Sequence, residues 1–244
     1  MPLNLDRTEN LVAGAVAHYW QTLEKQSAKQ RVGDADRGGR AGATGGKQMD
    51  GFCGVVQSVL VEAGLSHAHI YLNRSLELPG FFRPTKKWDL LVVHGKTLLA
   101  AMEFKSQKGP SFGNNFNNRS EEAIGTGQDF VTAFREGAFG MASVKPWTGW
   151  VMLLEDCVGS SNPVGVEEPH YKVFPEFRGA SYQKRYELLL RRLVREGLYN
   201  SAAFITSTPE GGLAGKYVEP ADDLKVRSLL AGLGGHVTAY IAGR

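Results

Sequence analysis

The chain has 244 residues, of which 42% are hydrophobic and 22% charged, with a formal net charge of +3. These proportions suit a folded globular protein and exclude wholesale disorder, collagen and a disulfide scaffold. No uninterrupted apolar run exceeds five residues, whereas a membrane helix needs about twenty, so no membrane partner is expected. Cys53 and Cys157 lie far apart with no CxxC spacing and read as reduced thiols of a cytoplasmic protein. Asp6, Arg7 and Glu9 precede the first apolar stretch, which argues against a secretory signal. The mildly basic charge is compatible with nucleic acid without requiring it.

The first element is a helix over 5–26, where Leu11, Val12, Ala15, Val16, Tyr19, Trp20 and Leu23 make one apolar stripe. The stretch 31–47 holds six glycines together with Arg31, Arg37, Arg40 and Lys47, and reads as a mobile loop. Helical spacing resumes at Met49, Phe52, Val55, Val56, Val59, Leu60 and Ala63, and Gly64 stands at the cap position. A short strand is expected at 70–72, after which Pro79, Gly80 and Pro84 break the chain. Two apolar runs, 88–93 and 98–104, are joined by His94-Gly95-Lys96-Thr97, a connection short enough for a hairpin. Both runs are apolar on both faces, which places the hairpin inside a sheet covered by helices. Further helices are expected at 119–137, 182–196 and 220–233, and further strands at 150–154 and 202–206. The fold class is therefore α/β, a central mixed sheet flanked by helices. No linker divides it, so residues 1–244 read as one domain.

The chemistry concentrates at one end of the hairpin. Asp89 enters one strand, while Glu103 and Lys105 leave the other. Glu103 and Lys105 are two residues apart and share a strand face. Two carboxylates and the intervening Phe104 carbonyl form an oxygen donor set of the kind that hard cations such as Mg²⁺ take. The register decides whether they meet. A two-residue turn at Gly95-Lys96 sets Asp89 opposite Met102; a three-residue turn, or one bulge, sets it opposite Glu103. A metal site requires the second. The decoy Asp223-Leu224-Lys225 falls in an expected helix, where residues two apart face different ways.

Asp89…Glu103-x-Lys105 resembles the PD-(D/E)xK nuclease motif, with its proline displaced to Pro84. The longer stretches 87–92 (Lys-Trp-Asp-Leu-Leu-Val), 101–107 (Ala-Met-Glu-Phe-Lys-Ser-Gln) and 113–119 (Gly-Asn-Asn-Phe-Asn-Asn-Arg) resemble the XhoI family of type II restriction endonucleases. That resemblance implies a restriction-endonuclease-like core in a cytoplasmic bacterial enzyme. It implies a homodimer that cuts double-stranded DNA at CTCGAG with Mg²⁺ and leaves 5′-phosphates on 5′ overhangs. Carried onto this chain, Asp89, Glu103 and Lys105 are catalytic, and Asp89, Glu103 and Phe104 bind the metal.

Asn114, Asn115, Asn117, Asn118 and Arg119 carry side chains that read adenine and guanine bidentately; the same residues also suit a polar turn and helix N-cap. Arg37, Arg40 and Lys47 of the glycine-rich loop are candidates for a phosphate clamp. The basic run Lys184, Arg185, Arg191, Arg192 and Arg195 reads as a solvated helix face or a phosphate contact. His67 and His69, alternating on an expected strand, lack the partners of a zinc site. A dimer would find apolar positions on the first and last helices. The alternatives are a DNA-binding protein without catalysis and a nuclease for branched or damaged DNA.

Overall fold

The computed structural model describes residues 4–32, 47–141 and 144–244. Helix α1 (Thr8–Val32) presents the expected stripe, with Val12, Ala15, Val16, Tyr19 and Trp20 buried. It runs past the expected end at 26 and takes in Arg31 and Val32. Helix α2 (Asp50–Glu62) buries Phe52, Val55, Val56, Val59 and Leu60. Gly64 ends it at φ +99°, and the Leu65 N–H reaches back to the Leu60 carbonyl at 3.1 Å. A residue with a side chain resists that left-handed conformation, which is why glycine stands there.

A short strand β1 (Ile70–Tyr71) is followed by a small hairpin, β2 (Glu77–Pro79) and β3 (Thr85–Lys87). The Pro-Gly-rich break in the sequence is the turn of this hairpin. Strands β4 (Leu90–His94) and β5 (Thr97–Gln107) form the long hairpin. Helix α3 (Phe112–Arg135) follows, then β6 (Trp147–Glu155), a single helical turn α4 (Val158–Ser161), α5 (Tyr182–Arg195), β7 (Ser201–Ser207), α6 (Pro209–Leu213) and α7 (Val226–Ala242).

The sheet order is β1-β4-β5-β6-β7. β1, β4 and β5 pair antiparallel; β5, β6 and β7 pair parallel. Both sheet faces are covered. Val12, Val16, Phe52, Val56, Leu230 and Leu233 pack with Leu90, Val92 and Met102 on one side. On the other, Ala123, Phe130, Tyr186 and Leu190 pack with Leu91, Ala101 and Trp150. The mixed α/β architecture is as the sequence implied.

Three expectations need correction. Helix α3 begins at Phe112, seven residues before the expected start. Phe112 and Phe116, one helical turn apart, sit against Tyr182 and Tyr186, and this packing outweighs the weak helix propensity of the asparagines. The last helix was expected from 220 to 233, across the decoy. Residues Asp222–Leu224 instead form a 3₁₀ turn, and α7 then continues through Gly234 and Gly235 to Ala242. The Glu219 carboxylate accepts from the Val226 N–H at 2.6 Å and so marks the true start. His67–His69 is likewise a 3₁₀ turn rather than a strand. Among the described residues no helix is long and apolar enough to cross a membrane, and Cys53 and Cys157 are free.

Candidate active site

The long hairpin settles its own register. Val93 pairs with Leu98 and His94 with Thr97 across a two-residue turn, but Leu90 pairs with Met102 and Val92 with Ala100. Leu99 is therefore an extra residue on β5, a bulge that shifts every pairing beyond it by one. Continuing the shifted register by one position brings Asp89 level with Glu103. Alternation then sets Asp89, Glu103 and Lys105 on the sheet face that carries Leu91 and Ala101, the face covered by α3.

The three side chains touch. Asp89 Oδ2 accepts from the Phe104 N–H at 2.8 Å and lies 3.3 Å from Lys105 Nζ. The Lys105 ammonium also contacts Glu103 Oε2, and it stands 3.4 Å from Glu122 Oε1. Lys86 of β3 reaches Glu103 Oε1 at 2.6 Å. Glu103 is fully buried, with 0% exposure, and an ammonium group faces each of its oxygens, Lys86 at Oε1 and Lys105 at Oε2. Asp89, at 38%, keeps one edge in solvent.

Burial pushes the Glu103 carboxyl above the usual carboxylate range, against the pull of Lys105 and Lys86; the Asp89 charge adds to the rise. For Lys105, burial lowers the ammonium, but Glu103, Asp89 and Glu122 outweigh it and the pKa is raised. A cation held by three carboxylates stays protonated at any physiological pH. Burial would also raise Glu122, yet Lys105 and Arg119 hold it low.

The group opens on a cleft of about 890 Å³ lined by Asp89, Lys105, Asn115, Arg119, Asp50 and Lys47. Gln107 ties its far wall. The Gln107 side-chain amide donates to the Phe112 carbonyl at 3.1 Å, and the Tyr186 hydroxyl donates to the Gln107 side-chain oxygen. The start of α3 is thereby pinned to the end of β5.

The expected DNA-reading segment is helix, not turn. Asn114 to Arg119 occupy the first turns of α3; Asn115 and Arg119, four apart, face the cleft. Asn114, Asn117 and Asn118 are exposed away from it. Asn117 donates to Glu121 at 2.9 Å, and Arg119 pairs with Glu122 at 2.5 Å. Lys47 is exposed beside the cleft, whereas Arg37 and Arg40 lie outside the described residues.

Four of the five basic side chains of α5 are engaged within the fold, and Arg195 is exposed. Lys184 pairs with Glu187 at 2.7 Å, Arg191 with Asp223 at 2.7 Å and Arg192 with Glu176. Arg185 donates to the Val164 and Gly165 carbonyls. The apolar stripes of α1 and α7, expected as a dimer surface, line the core instead.

Sequence reasoning gave no role to Lys86, Glu122 or Asp50. Glu122 carried a signal, standing three residues after Arg119 on an expected helix. Lys86 carried none, because the β2–β3 hairpin that aims it was not foreseen.

Two carboxylates and a lysine gathered at a cleft beside the central strands of a mixed, helix-covered sheet define a site compatible with a restriction-endonuclease-like core. The model of the restriction endonuclease XhoI family matches residues 28–219. The type II restriction enzyme BstVI of Geobacillus stearothermophilus is 51% identical over 212 residues, covering 85% of this chain and 94% of the relative. The type II restriction enzyme XhoI of Xanthomonas vasicola is 46% identical over 200 residues, 81% of this chain and 79% of the relative. AbrI of Azospirillum brasilense, also a type II restriction enzyme, is 49% identical over 174 residues, 70% of this chain and 78% of the relative. No solved structure matches significantly. The chain belongs to the XhoI restriction endonuclease family. It is a site-specific deoxyribonuclease that acts on double-stranded DNA, and the reading as a binding module without catalysis is set aside.

Proposed function

We infer that this enzyme cuts both strands of CTCGAG in a Mg²⁺-dependent hydrolysis, with Asp89, Glu103 and Lys105 as its catalytic residues. The observation that carries the reading is the convergence of Asp89, the buried Glu103 and Lys105 on one group beside the cleft. A carboxylate kept out of water is costly unless cations face it.

Among the described residues no cluster of three or more His, Cys, Asp or Glu side chains forms a metal site. The donor set is leaner: the Asp89 and Glu103 carboxylates with the Phe104 carbonyl. It fits a hard divalent ion, which completes its shell with water and phosphate oxygens. Mg²⁺ bound there supplies Lewis-acid polarisation of the scissile phosphate and a more acidic bound water. Lys105, held protonated, lies beside both carboxylates and stabilises the negative charge that grows on the phosphorus oxygens. Cleavage of the bond to the 3′-oxygen leaves a 5′-phosphate, and staggered cuts in the palindrome leave 5′ overhangs.

Asn114, Asn115, Asn117, Asn118 and Arg119 are the candidates for base contacts, with Asn115 and Arg119 supported by their place in the cleft. Lys47, with Arg37 and Arg40, is the candidate phosphate clamp. Two cuts in a two-fold symmetric site call for two copies of the active site, hence a homodimer in the bacterial cytoplasm. The fold is read as one domain throughout.

Plasmid carrying one CTCGAG site and a copy with that site altered decide the matter. With Mg²⁺ the first is expected to become linear while the second stays closed, and EDTA is expected to stop the reaction. Cutting of both plasmids, or undiminished cutting in EDTA, sinks the reading. Light scattering is expected to give about twice the 26.6 kDa of one chain.

A further inference from the structure

The β2–β3 turn holds a feature that neither the fold nor the site requires. Phe81 is 52% exposed and Phe82 is 70% exposed, side by side in Gly80-Phe81-Phe82-Arg83-Pro84. Their rings meet edge to face, with centroids 5.0 Å apart. Exposed apolar side chains are ordinary singly; a fixed pair is not.

This pair is fixed. Asp129 of α3, only 3% exposed, accepts from the Phe81 N–H at 2.7 Å and from the Phe82 N–H at 2.8 Å through Oδ1. Its Oδ2 takes Arg83 Nε at 2.7 Å. Gly80 is boxed in, since a Cβ there would stand 2.6 Å from both the Arg83 carbonyl and Asp129 Oδ2. A buried carboxylate is thus committed to holding two phenylalanines out into solvent. The hairpin also leads straight to the active site. Lys86, four residues beyond Phe82, holds Glu103, and Asp89 follows three residues later.

What covers these rings follows from area and position. The two exposed faces amount to roughly 250 Å², well short of the roughly 500 Å² per partner of a stable protein interface. Charge does not decide the matter, because Arg83 is bound by Asp129 and Lys86 by Glu103. Position does: Phe82 lines one groove with Lys86 and Glu122, and these two touch Glu103 and Lys105 of the active site. A fixed aromatic tip beside a site that acts on double-stranded DNA matches the base stack, which accepts apolar wedges.

We propose that the Phe81–Phe82 tip is a DNA wedge: Phe82 enters the base stack near the scissile phosphate, and Phe81 braces it. The wedge opens one base step and fixes the strand relative to Asp89 and Glu103. It is a positioning device and takes no part in the chemistry. The proposal rests on the site assignment above only for where along the DNA the wedge enters.

Duplexes with 2-aminopurine placed singly along and beside CTCGAG, bound in EDTA, test it. Wild-type protein is expected to raise the fluorescence at least about threefold at a position within about three base pairs of the cut, as an unstacked base does. The variant with both Phe81→Ala and Phe82→Ala is expected to lose that rise and to cut about ten- to a hundredfold more slowly, with an unchanged melting temperature. Phe82→Trp is expected to restore both. Equal fluorescence in wild type and double variant, with binding verified by anisotropy, overturns the wedge. So does a double variant whose mass in light scattering drops to that of one chain, because the tip is then a subunit contact. If Asp89→Ala were to cut normally, the site assignment would fall, but the fluorescence result would stand.

Discussion

Glu103-Phe104-Lys105 and Asp223-Leu224-Lys225 are the same acid-x-lysine pattern in two settings. The first lies on a central strand, where residues two apart share a face, and both side chains meet the same group of charges. The second straddles the end of a 3₁₀ turn and splits: Asp223 pairs with Arg191 and Lys225 with Asp222. Exposure separates them further. Glu103 is fully buried between the Lys86 and Lys105 ammonium groups, whereas Asp223 and Lys225 are 54% and 43% exposed in their side chains. Exposed pairs contribute about 0–1 kcal/mol and are common. Burying charges is costly even when they are paired, and clusters of perturbed groups gather at functional sites. Asp129 marks the third case, buried and yet saturated by three donors, which makes it structural.

Substitution should widen this contrast. Glu103→Ala, Asp89→Ala and Lys105→Ala are each expected to slow cleavage at least about a thousandfold, or roughly 4 kcal/mol. Single-turnover rates on a CTCGAG duplex measure it, and near-wild-type cleavage by Glu103→Ala would falsify the assignment.

Lys86→Ala comes next. It removes one of the two ammonium groups that face Glu103, Lys105 being the other, and is expected to cost about ten- to a hundredfold in rate, or about 1–3 kcal/mol. Lys86→Arg should recover most of it. An unchanged rate in the alanine variant means that Lys86 is a bystander.

Asp129 carries a pH signature. Burial raises its carboxyl, but the bonds from Phe82, Arg83 and Phe81 outweigh that and leave the pKa lowered. A lowered folded pKa contributes stability above the unfolded value of about 3.9, lost as pH falls through the folded one. Asp129→Asn is therefore expected to be about 2 kcal/mol less stable than wild type at pH 7. The gap should narrow as pH falls from the unfolded value of about 3.9 through the lowered folded one. Urea melts at neutral and acid pH measure it, and a gap that does not shrink in acid removes the ionised carboxylate from the explanation.

The smallest effect belongs to the decoy. Asp223→Ala is expected to leave cleavage within twofold and stability within about 0.5 kcal/mol. A large loss of cleavage there would erase the contrast between the two settings.

The candidate site was legible in the sequence to the extent that local rules govern it. Period-two alternation put Glu103 and Lys105 on one face, and the length of the Gly95-Lys96 connection limited Asp89 to two registers. The helices α1, α2 and α5 were legible because their apolar spacing is regular and packing follows it. The start of α3 was not, since asparagines argue locally for a turn and only contact with Tyr182 and Tyr186, some seventy residues away in sequence, holds them helical.

By itself the sequence determined the fold class, the strands of the hairpin and the identity of its acids and lysine. The tertiary structure decided which register they took, through the bulge at Leu99. It also decided that Lys86 and Glu122 join them, that Lys184, Arg191 and Arg192 of α5 pair with Glu187, Asp223 and Glu176, and that the stripes of α1 and α7 belong to the core. The division has one physical cause. Periodicity and turn chemistry act over a few residues and are written locally, whereas burial and charge pairing depend on which distant segments arrive, and a single-residue bulge is enough to change them.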